Sequence, residues 1–360
     1  MNIGLIGLEK AGKTTIFNAL TGQAAEVGSY GGRNVEPNRA IVDVADSRVD
    51  RLSEMYAPKK TVYATIEVVD FAGLTADAAT QGVFSGEAMG LIKASDALAL
   101  VARNFSDAVV DETQGAADPR RDVEKVAGEL VLGDLIVIER RLERIEGDLR
   151  RGKKTPALQG EQKVLSRLQE ALSEGIPVSQ VELTPEDQKL IAGFQFLSQK
   201  PLFVVLNSGE EQYGRNPGTV AELEKQYPVI EFSGSFEMEL GALEDPEERQ
   251  MFMQEAGIEE SARERLTKFA YHALGYLSFF TVGPDEVRAW TIRRGENAVD
   301  AAGAIHSDLA RGFIRAEVFT YDDLIELGSE KAIKEKGRLR VEGKTYIVSD
   351  GDILHVRFSV

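Results

Sequence analysis

An α/β fold is predicted for this chain: a parallel sheet covered by helices, interrupted by a helical hairpin and followed by a small α+β domain. Three observations predict it. Short continuous apolar runs alternate with helical patterns through the first half of the sequence, as expected of a parallel sheet buried on both faces. Near residue 135 a heptad repeat replaces that pattern. After about residue 277 apolar and polar residues alternate singly, as in half-buried strands.

Taken in order, Ile3 to Ile6 is an apolar run broken by glycine, and Thr14 to Leu20 has helical spacing. Thr65-Ile66-Glu67-Val68-Val69-Asp70 is β-rich, Ala97 to Val101 is continuously apolar, and Pro201-Leu202-Phe203-Val204-Val205-Leu206 is a further strand of the same kind. About a hundred residues separate the last two, so something is inserted in the sheet. The insertion reads as two helical arms. Leu135, Ile138, Leu142, Ile145 and Leu149 are spaced 3, 4, 3 and 4, and Leu165, Leu168 and Leu172 continue the seam on a second segment. Between them the turn-like stretch Arg150-Arg151-Gly152-Lys153-Lys154-Thr155-Pro156 implies an antiparallel coiled-coil hairpin. In the last part, Val287 to Ile292, Thr345 to Val348 and Ile353 to Phe358 alternate, with Asp350-Gly351-Asp352 as a tight turn between the last two and a helix near Asp300 to Leu309. The division read along the chain is therefore 1–127 and 183–276 for the sheet domain, 128–182 for the hairpin and 277–360 for the C-terminal domain.

The charge balance narrows the partners. Lys and Arg number 42 against 59 Asp and Glu in 360 residues, a net charge of −17. Such a chain does not coat nucleic acid or anionic membrane with its whole surface. The charge is uneven, however: Arg140 to Lys154 holds seven basic and three acidic residues, and 277–360 holds 12 basic and 14 acidic. A solvated helix tip and a contact for RNA or an acidic partner, through Arg150, Arg151, Lys153 and Lys154, are both open readings. The chain has no cysteine, which excludes disulfides, thiolate metal sites and Cys nucleophiles. His272, His306 and His355 are far apart, which disfavours a His-rich zinc site. No apolar stretch approaches the roughly 18 residues of a membrane span, and Met1-Asn2-Ile3-Gly4-Leu5-Ile6-Gly7 lacks a basic leader. A cytoplasmic protein with no membrane or DNA partner is expected.

One motif carries the chemistry. Gly7-Leu8-Glu9-Lys10-Ala11-Gly12-Lys13-Thr14 matches G-x-x-x-x-G-K-[ST] in full, after an apolar run and at the start of a helical pattern. Its glycines let successive backbone N–H groups turn toward phosphates, and the helix N-terminus adds a positive dipole. Glu9, Lys10, Ala11, Gly12, Lys13, Thr14 and Thr15 are the candidate phosphate-binding residues, with Lys13 and Thr14 as the catalytic pair. Lys13 is expected to reach the β- and γ-phosphates, and the Thr14 hydroxyl to ligate Mg²⁺. Val68-Val69-Asp70-Phe71-Ala72-Gly73 ends a strand in Asp-x-x-Gly, where Asp70 would hold Mg²⁺ through water and the Gly73 N–H would sense a γ-phosphate. A guanine-specific protein carries Asn-Lys-x-Asp after a strand; here the strand is followed by Asn207-Ser208-Gly209-Glu210, without the Lys or the Asp. Asn207, Ser208 and Glu210 are therefore candidate base-binding residues, and an amide can pair with adenine N6 and N7. Ser233, after Val229 to Phe232, is a candidate last loop over the base.

The P-loop at Gly7 to Thr14, Glu36-Pro37-Asn38, Thr65-Ile66-Glu67 with Asp70 to Leu74, Asn207 to Glu210, Ser233 with Glu237-x-Glu239-Leu240, and the run from Glu286 to Ile292 through Asp350-Gly351-Asp352 together resemble the YchF (Obg-like) P-loop ATPases of the TRAFAC class, over nearly the full chain. The resemblance implies a Ras-like P-loop NTPase domain, an inserted coiled-coil hairpin and a C-terminal TGS domain of β-grasp, ubiquitin-like type. It also implies preference for ATP over GTP, and association with the ribosome and the translation or stress-response machinery. The chain departs from the family at two places and from Ras-like enzymes at a third. Lys10-Ala11, preceded by Glu9, replaces Asn-Val; Asn34 replaces a switch Thr expected to ligate Mg²⁺; and Leu74 stands where Ras-like enzymes place a water-orienting Gln, although a hydrophobic residue is usual in this family. The leading reading is a slow, Mg²⁺-dependent ATPase that works through ribosome association, the TGS-like domain and hairpin tip being the contacts. A diverged, hydrolysis-deficient nucleotide-binding scaffold and a GTP-binding protein are the alternatives.

Overall fold

The structure, a computed structural model, describes residues 1–22, 37–71, 86–243, 245–255, 258 and 260–359. Two compact units divide the chain: Met1–Ala40 with Glu67–Ala262, and Ile41–Ile66 with Arg263–Val360. The first seven strands are β1 (Asn2–Ile6), β2 (Asn38–Asp43), β3 (Lys60–Val62), β4 (Thr65–Asp70), β5 (Ala97–Asn104), β6 (Leu202–Ser208) and β7 (Val229–Phe232). Six of them form a sheet in the order β2-β4-β1-β5-β6-β7, in which β4, β1, β5, β6 and β7 run parallel. The apolar runs read from the sequence are these strands. β5 lies in the middle and is buried from Ala97 to Arg103, which is why it carries no alternation.

The helix Pro119–Arg150 has two tasks along its 32 residues. Val123, Val126 and Leu130 of its first half pack on Ile6, Leu98, Leu100, Val204 and Leu206 of the sheet. Its second half becomes the first arm of the hairpin, where Ile138, Leu142 and Ile145 meet Val164, Leu165, Leu168 and Leu172 of the helix Pro156–Ser173. The heptad seam is thus the buried face, and each fully buried Leu or Ile stabilises it by about 1.5–3 kcal/mol. Local chemistry sets the ends: Asp118 and Thr155 cap the two helices through Arg121 N–H and Leu158 N–H, each followed by a proline at the first turn. Arg141 ties the arms together with a bidentate pair to Glu161 (2.7 and 2.8 Å). The base of the first arm is fixed by buried Asp134, which accepts from Leu197 N–H, Ser198 N–H and Ser198 Oγ at 2.7–2.8 Å.

The second unit holds a six-stranded sheet in the order β11-β10-β12-β8-β9-β3, where β8 is Tyr276–Thr281, β9 Glu286–Arg293, β10 Phe313–Thr320, β11 Arg340–Glu342 and β12 Asp352–Phe358. Helices Ala298–Ile305 and Ser307–Arg311 cover the expected helical stretch. Two features differ from the sequence reading. Residues 41–66, read with the sheet domain, group with the C-terminal residues because β3 pairs in parallel with β9, Lys60 opposite Glu286. Thr345 to Val348 is not a strand. Ile347 forms an isolated bridge to Asn297, and the backbone of this segment bonds to residues 296–298 instead. The Asp350-Gly351-Asp352 turn therefore closes no hairpin. Its carboxylates are capping groups: Asp350 accepts from Ser278 N–H (2.9 Å), and buried Asp352 from Tyr346 Oη (2.7 Å) and Ser349 N–H (2.9 Å). β12 pairs with β10 and β8. Among the described residues, no helix is long and apolar enough to cross a membrane.

Candidate functional site

Parallel strands deliver their carboxyl ends to one edge of the first sheet, the place where open α/β sheets bind ligands. Gly7 to Thr14 follows β1 there, Asp70 ends β4, Asn207 and Ser208 end β6, and Ser233 follows β7. The loop after β1 is tightly specified. Gly12 has φ +92 and ψ 23, a left-handed conformation at the foot of the helix Lys13–Thr21, and a Cβ there would lie 2.1 Å from Asn207 Nδ2. Glycine is the residue that fits. Lys10 is also left-handed, at φ +59, at a cost of roughly 1–2 kcal/mol for a residue with a Cβ. Its ammonium and the Glu9 carboxylate are exposed, Ala11 is buried and Thr15 half-buried.

Lys13 is buried at 7% exposure. Its ammonium donates to the carbonyls of Gly7 (3.1 Å) and Leu8 (2.8 Å), so two of its three protons hold the loop and the third is available to a phosphate oxygen. Burial lowers its pKa from 10.5 to about 8, against the opposing pull of Asp70 and then Glu9. Beside it, Thr14 Oγ1 donates to the fully buried Asp70 Oδ2 at 2.8 Å. That bond leaves the Thr14 oxygen lone pairs for a cation. A hydroxyl backed by a carboxylate is a hard-oxygen donor pair, and it suits Mg²⁺, which takes few protein ligands and keeps phosphates and waters. Among the described residues no group of three or more His, Cys, Asp or Glu could hold a metal ion by itself. The residues present therefore fit Mg²⁺ shared with a nucleotide.

The candidate base-reading residues at the end of β6 are also bonded within the protein. Asn207 is 4% exposed. Its Nδ2 donates to the Ala11 carbonyl (3.1 Å) and its Oδ1 accepts from Gly234 N–H (3.1 Å), so the amide joins the phosphate loop to the loop after β7. The Ser208 hydroxyl is buried and bonded to Asn104 and Glu231 (2.8 and 2.5 Å). Glu210 is exposed in the turn after the strand, and buried Ser233 faces Ser235 Oγ at 3.3 Å. Gly73, Leu74 and Asn34 lie outside the described residues. Two supporting groups had no signal in the sequence: Gln114 Nε2 donates to the Glu9 carbonyl (3.3 Å), and buried Arg103 pairs with Asp111 (2.7 Å) and the Gly115 carbonyl (2.6 Å). Gln114 ties the helix Ala108–Gln114 to the phosphate loop, and Arg103 ties it to β5.

At the hairpin tip Arg150, Arg151, Lys153 and Lys154 are all exposed. Arg150 pairs with Glu146 (3.4 Å), and Arg151 and Lys153 both pair with Asp148 (2.8 and 3.1 Å). Those three charges are partly matched at the surface, whereas Lys154 has no ion pair among the described residues.

Residues 2–138 match a family model described as a 50S ribosome-binding GTPase, and residues 276–359 match the YchF-GTPase C-terminal model, described as a protein of unknown function. The chain is 39% identical to the protein of Bacillus subtilis named ribosome-binding ATPase YchF, over all of both chains. It is 36% identical to the Obg-like ATPase 1 of Oryza sativa subsp. japonica, covering all of this chain and 92% of that one. The solved structure of the Schizosaccharomyces pombe YchF GTPase superposes with a TM-score of 0.85 at 30% identity, over 99% of this chain and 97% of that one. With the phosphate loop, the Thr14–Asp70 pair and the strand-end residues on one edge of the sheet, and relatives of this identity along the whole length, the chain belongs to the YchF family of Obg-like P-loop ATPases.

Proposed function

We propose that this protein binds ATP with Mg²⁺ at Gly7 to Thr14, hydrolyses it slowly, and uses the bound nucleotide to adjust its association with ribosomes in the cytoplasm. The observation that carries the reading is the convergence of Lys13, the Thr14–Asp70 hydrogen bond and Asn207 around one loop. ATP and the ribosome are taken from the names of the relatives. Lys13 holds the β- and γ-phosphates through its free proton and keeps the loop curved through the other two. Thr14 would hold Mg²⁺ directly and Asp70 through water. When bound, Mg²⁺ neutralises charge developing on the β- and γ-phosphate oxygens. Titrating ATP and GTP, each with and without Mg²⁺, and measuring phosphate release with and without ribosomes tests the whole reading. GTP bound in preference to ATP, or no release under either condition, would refute it.

Asp70→Asn should reduce the rise of ATP affinity with Mg²⁺ and lower phosphate release by about tenfold or more. The amide keeps the shape and can still accept from Thr14, but it removes the negative charge. A variant whose affinity still rises with Mg²⁺ as in the unaltered protein would remove Asp70 from the metal's shell.

Docking at the hairpin tip is the second part of the proposal. Replacing Arg150, Arg151, Lys153 and Lys154 together with alanine should weaken ribosome co-sedimentation by about tenfold at moderate salt and flatten its salt dependence, since fewer counterions are released. Unchanged co-sedimentation would rule the tip out. ATP binding serves as the folding control, because the tip residues make no contact with the phosphate loop.

A further inference from the structure

Across the carboxyl ends of β5, β6 and β7 runs a continuous line of side-chain hydrogen bonds that phosphate binding does not require. Asn104 Nδ2 donates to Ser208 Oγ (2.8 Å), Ser208 Oγ donates to Glu231 Oε1 (2.5 Å), and Asn216 Nδ2 donates to the same Oε1 (3.0 Å). The second oxygen, Glu231 Oε2, accepts from Gly214 N–H at 3.2 Å. Strand register brings the members together: Asn104 stands opposite Ser208, and Glu231 opposite Leu206.

One carboxylate thereby grips the 209–216 loop at both ends, at its start through Ser208 and at its close through Gly214 and Asn216. Gly214 has φ +70, a turn that glycine makes without a Cβ penalty. Inside the loop, Gln212 N–H and Tyr213 N–H both close on the Gly209 carbonyl (3.0 and 2.9 Å), and Asn216 Nδ2 also donates to the Gln212 carbonyl (2.5 Å). The exposed Glu210 is carried on this loop.

We infer that Glu231, acting with Ser208 and Asn216, is a positioning element for purine selection: it holds the loop that carries Glu210 in one register against the base edge. The inference rests on Asn207 to Glu210 being the base-reading stretch. Adenine presents an N6 amino group that donates to a carboxylate, whereas guanine presents the O6 acceptor at that place, which a carboxylate repels. Rejection by repulsion works only while the carboxylate cannot move aside, and a selective site must be held to about 0.5 Å. Ser208 thus acts through Glu231 on the loop, since its own hydroxyl is committed on both sides.

Competition of ATP against GTP on the full chain tests this, with the unaltered protein, Glu231→Ala, Glu231→Gln and Asn216→Ala. The ratio of GTP to ATP dissociation constants should fall by about tenfold in Glu231→Ala, by less in Asn216→Ala, and should be partly restored in Glu231→Gln, which keeps one acceptor oxygen. Equal losses for both nucleotides, with the ratio unchanged, would overturn the inference and leave the base-reading stretch standing. No preference in the unaltered protein would overturn that underlying reading and this one with it. If Glu231→Ala does not fold, Asn216→Ala decides, because it leaves the bonds from Ser208 and Gly214 to Glu231 in place.

Discussion

Lys13→Ala is expected to abolish measurable Mg·ATP binding and, in the protein without added nucleotide, to raise stability. Both effects come from the same buried charge. The ammonium is 7% exposed, and burial holds its pKa at about 8 instead of 10.5. Keeping it protonated at neutral pH therefore costs the folded protein roughly 3 kcal/mol, at 1.36 kcal/mol for each tenfold change in proton affinity. The sign follows from proton counts. Between pH 8 and 10.5 the unfolded chain binds the proton that the folded chain has released, so stability rises with pH across that window and the full cost applies below it. Removing the side chain removes the cost, less what the Gly7 and Leu8 carbonyls lose as hydrogen-bond acceptors. Lys13→Met, which keeps the stem volume, should show the gain most clearly, with a stability that rises less steeply across this window than in the unaltered protein. A phosphate selects the protonated lysine, so ATP affinity of the unaltered protein should decline above pH 8, by up to about tenfold per pH unit, with proton uptake on binding. Calorimetry in buffers of different ionisation enthalpy, together with denaturant titrations at pH 7 and pH 10, measures both. Unchanged ATP affinity in Lys13→Ala would remove the loop from nucleotide binding altogether.

The parts of this molecule that were legible in its sequence are those whose physics is local. Gly7 to Thr14 is one uninterrupted run, because a single loop must turn several N–H groups and one lysine onto the same phosphates. The hairpin was legible because Leu135, Ile138, Leu142, Ile145 and Leu149 repeat a period, and that period is a buried face. What was not legible depends on partners distant along the chain. β3 has three residues and joins the second sheet through Glu286, Val287 and Arg288, a pairing that leaves no pattern in Lys60 to Val62 itself. Thr345 to Val348 alternates as a strand does, yet Glu296 and Ala298 take its backbone bonds, so a correct period still gave the wrong element. The site shows the same division. Lys13 and Thr14 follow from the motif, whereas the companions of Asn207 are Ala11 and Gly234, and only the folded chain brings these together. Asn207 reads from the sequence as a base contact, and its bonds to Ala11 and Gly234 add the role of a strut.

Asn207→Ala tests that strut and is expected to have the largest effect on stability. The amide is 4% exposed and satisfies one buried carbonyl and one buried N–H. Truncation leaves both without a partner at about 1–3 kcal/mol each, so the nucleotide-binding unit should lose roughly 2–6 kcal/mol. For a unit of some two hundred residues, at about 2–4 °C per kcal/mol, this lowers Tm by roughly 4 to 24 °C. Binding should suffer as well. The Asn207 amide braces the Ala11 carbonyl, so its loss releases the loop that Lys13 closes. ATP and GTP affinities should then fall together, by about tenfold or more, with their ratio preserved. Asn207→Asp separates the bonds: it keeps the acceptor for Gly234 N–H but sets a carboxylate against the Ala11 carbonyl, so it should bind nucleotide less well than Asn207→Ala while losing less of the β7 loop's order. A base reader behaves otherwise. Loss of ATP affinity alone, with Tm unchanged, would mean that the amide contacts adenine and that its bonds to Ala11 and Gly234 give way when the nucleotide enters. The Glu231 variants predict the opposite pattern, a changed ratio. The two sets measured in parallel therefore assign selectivity to the loop and its brace, or to the amide.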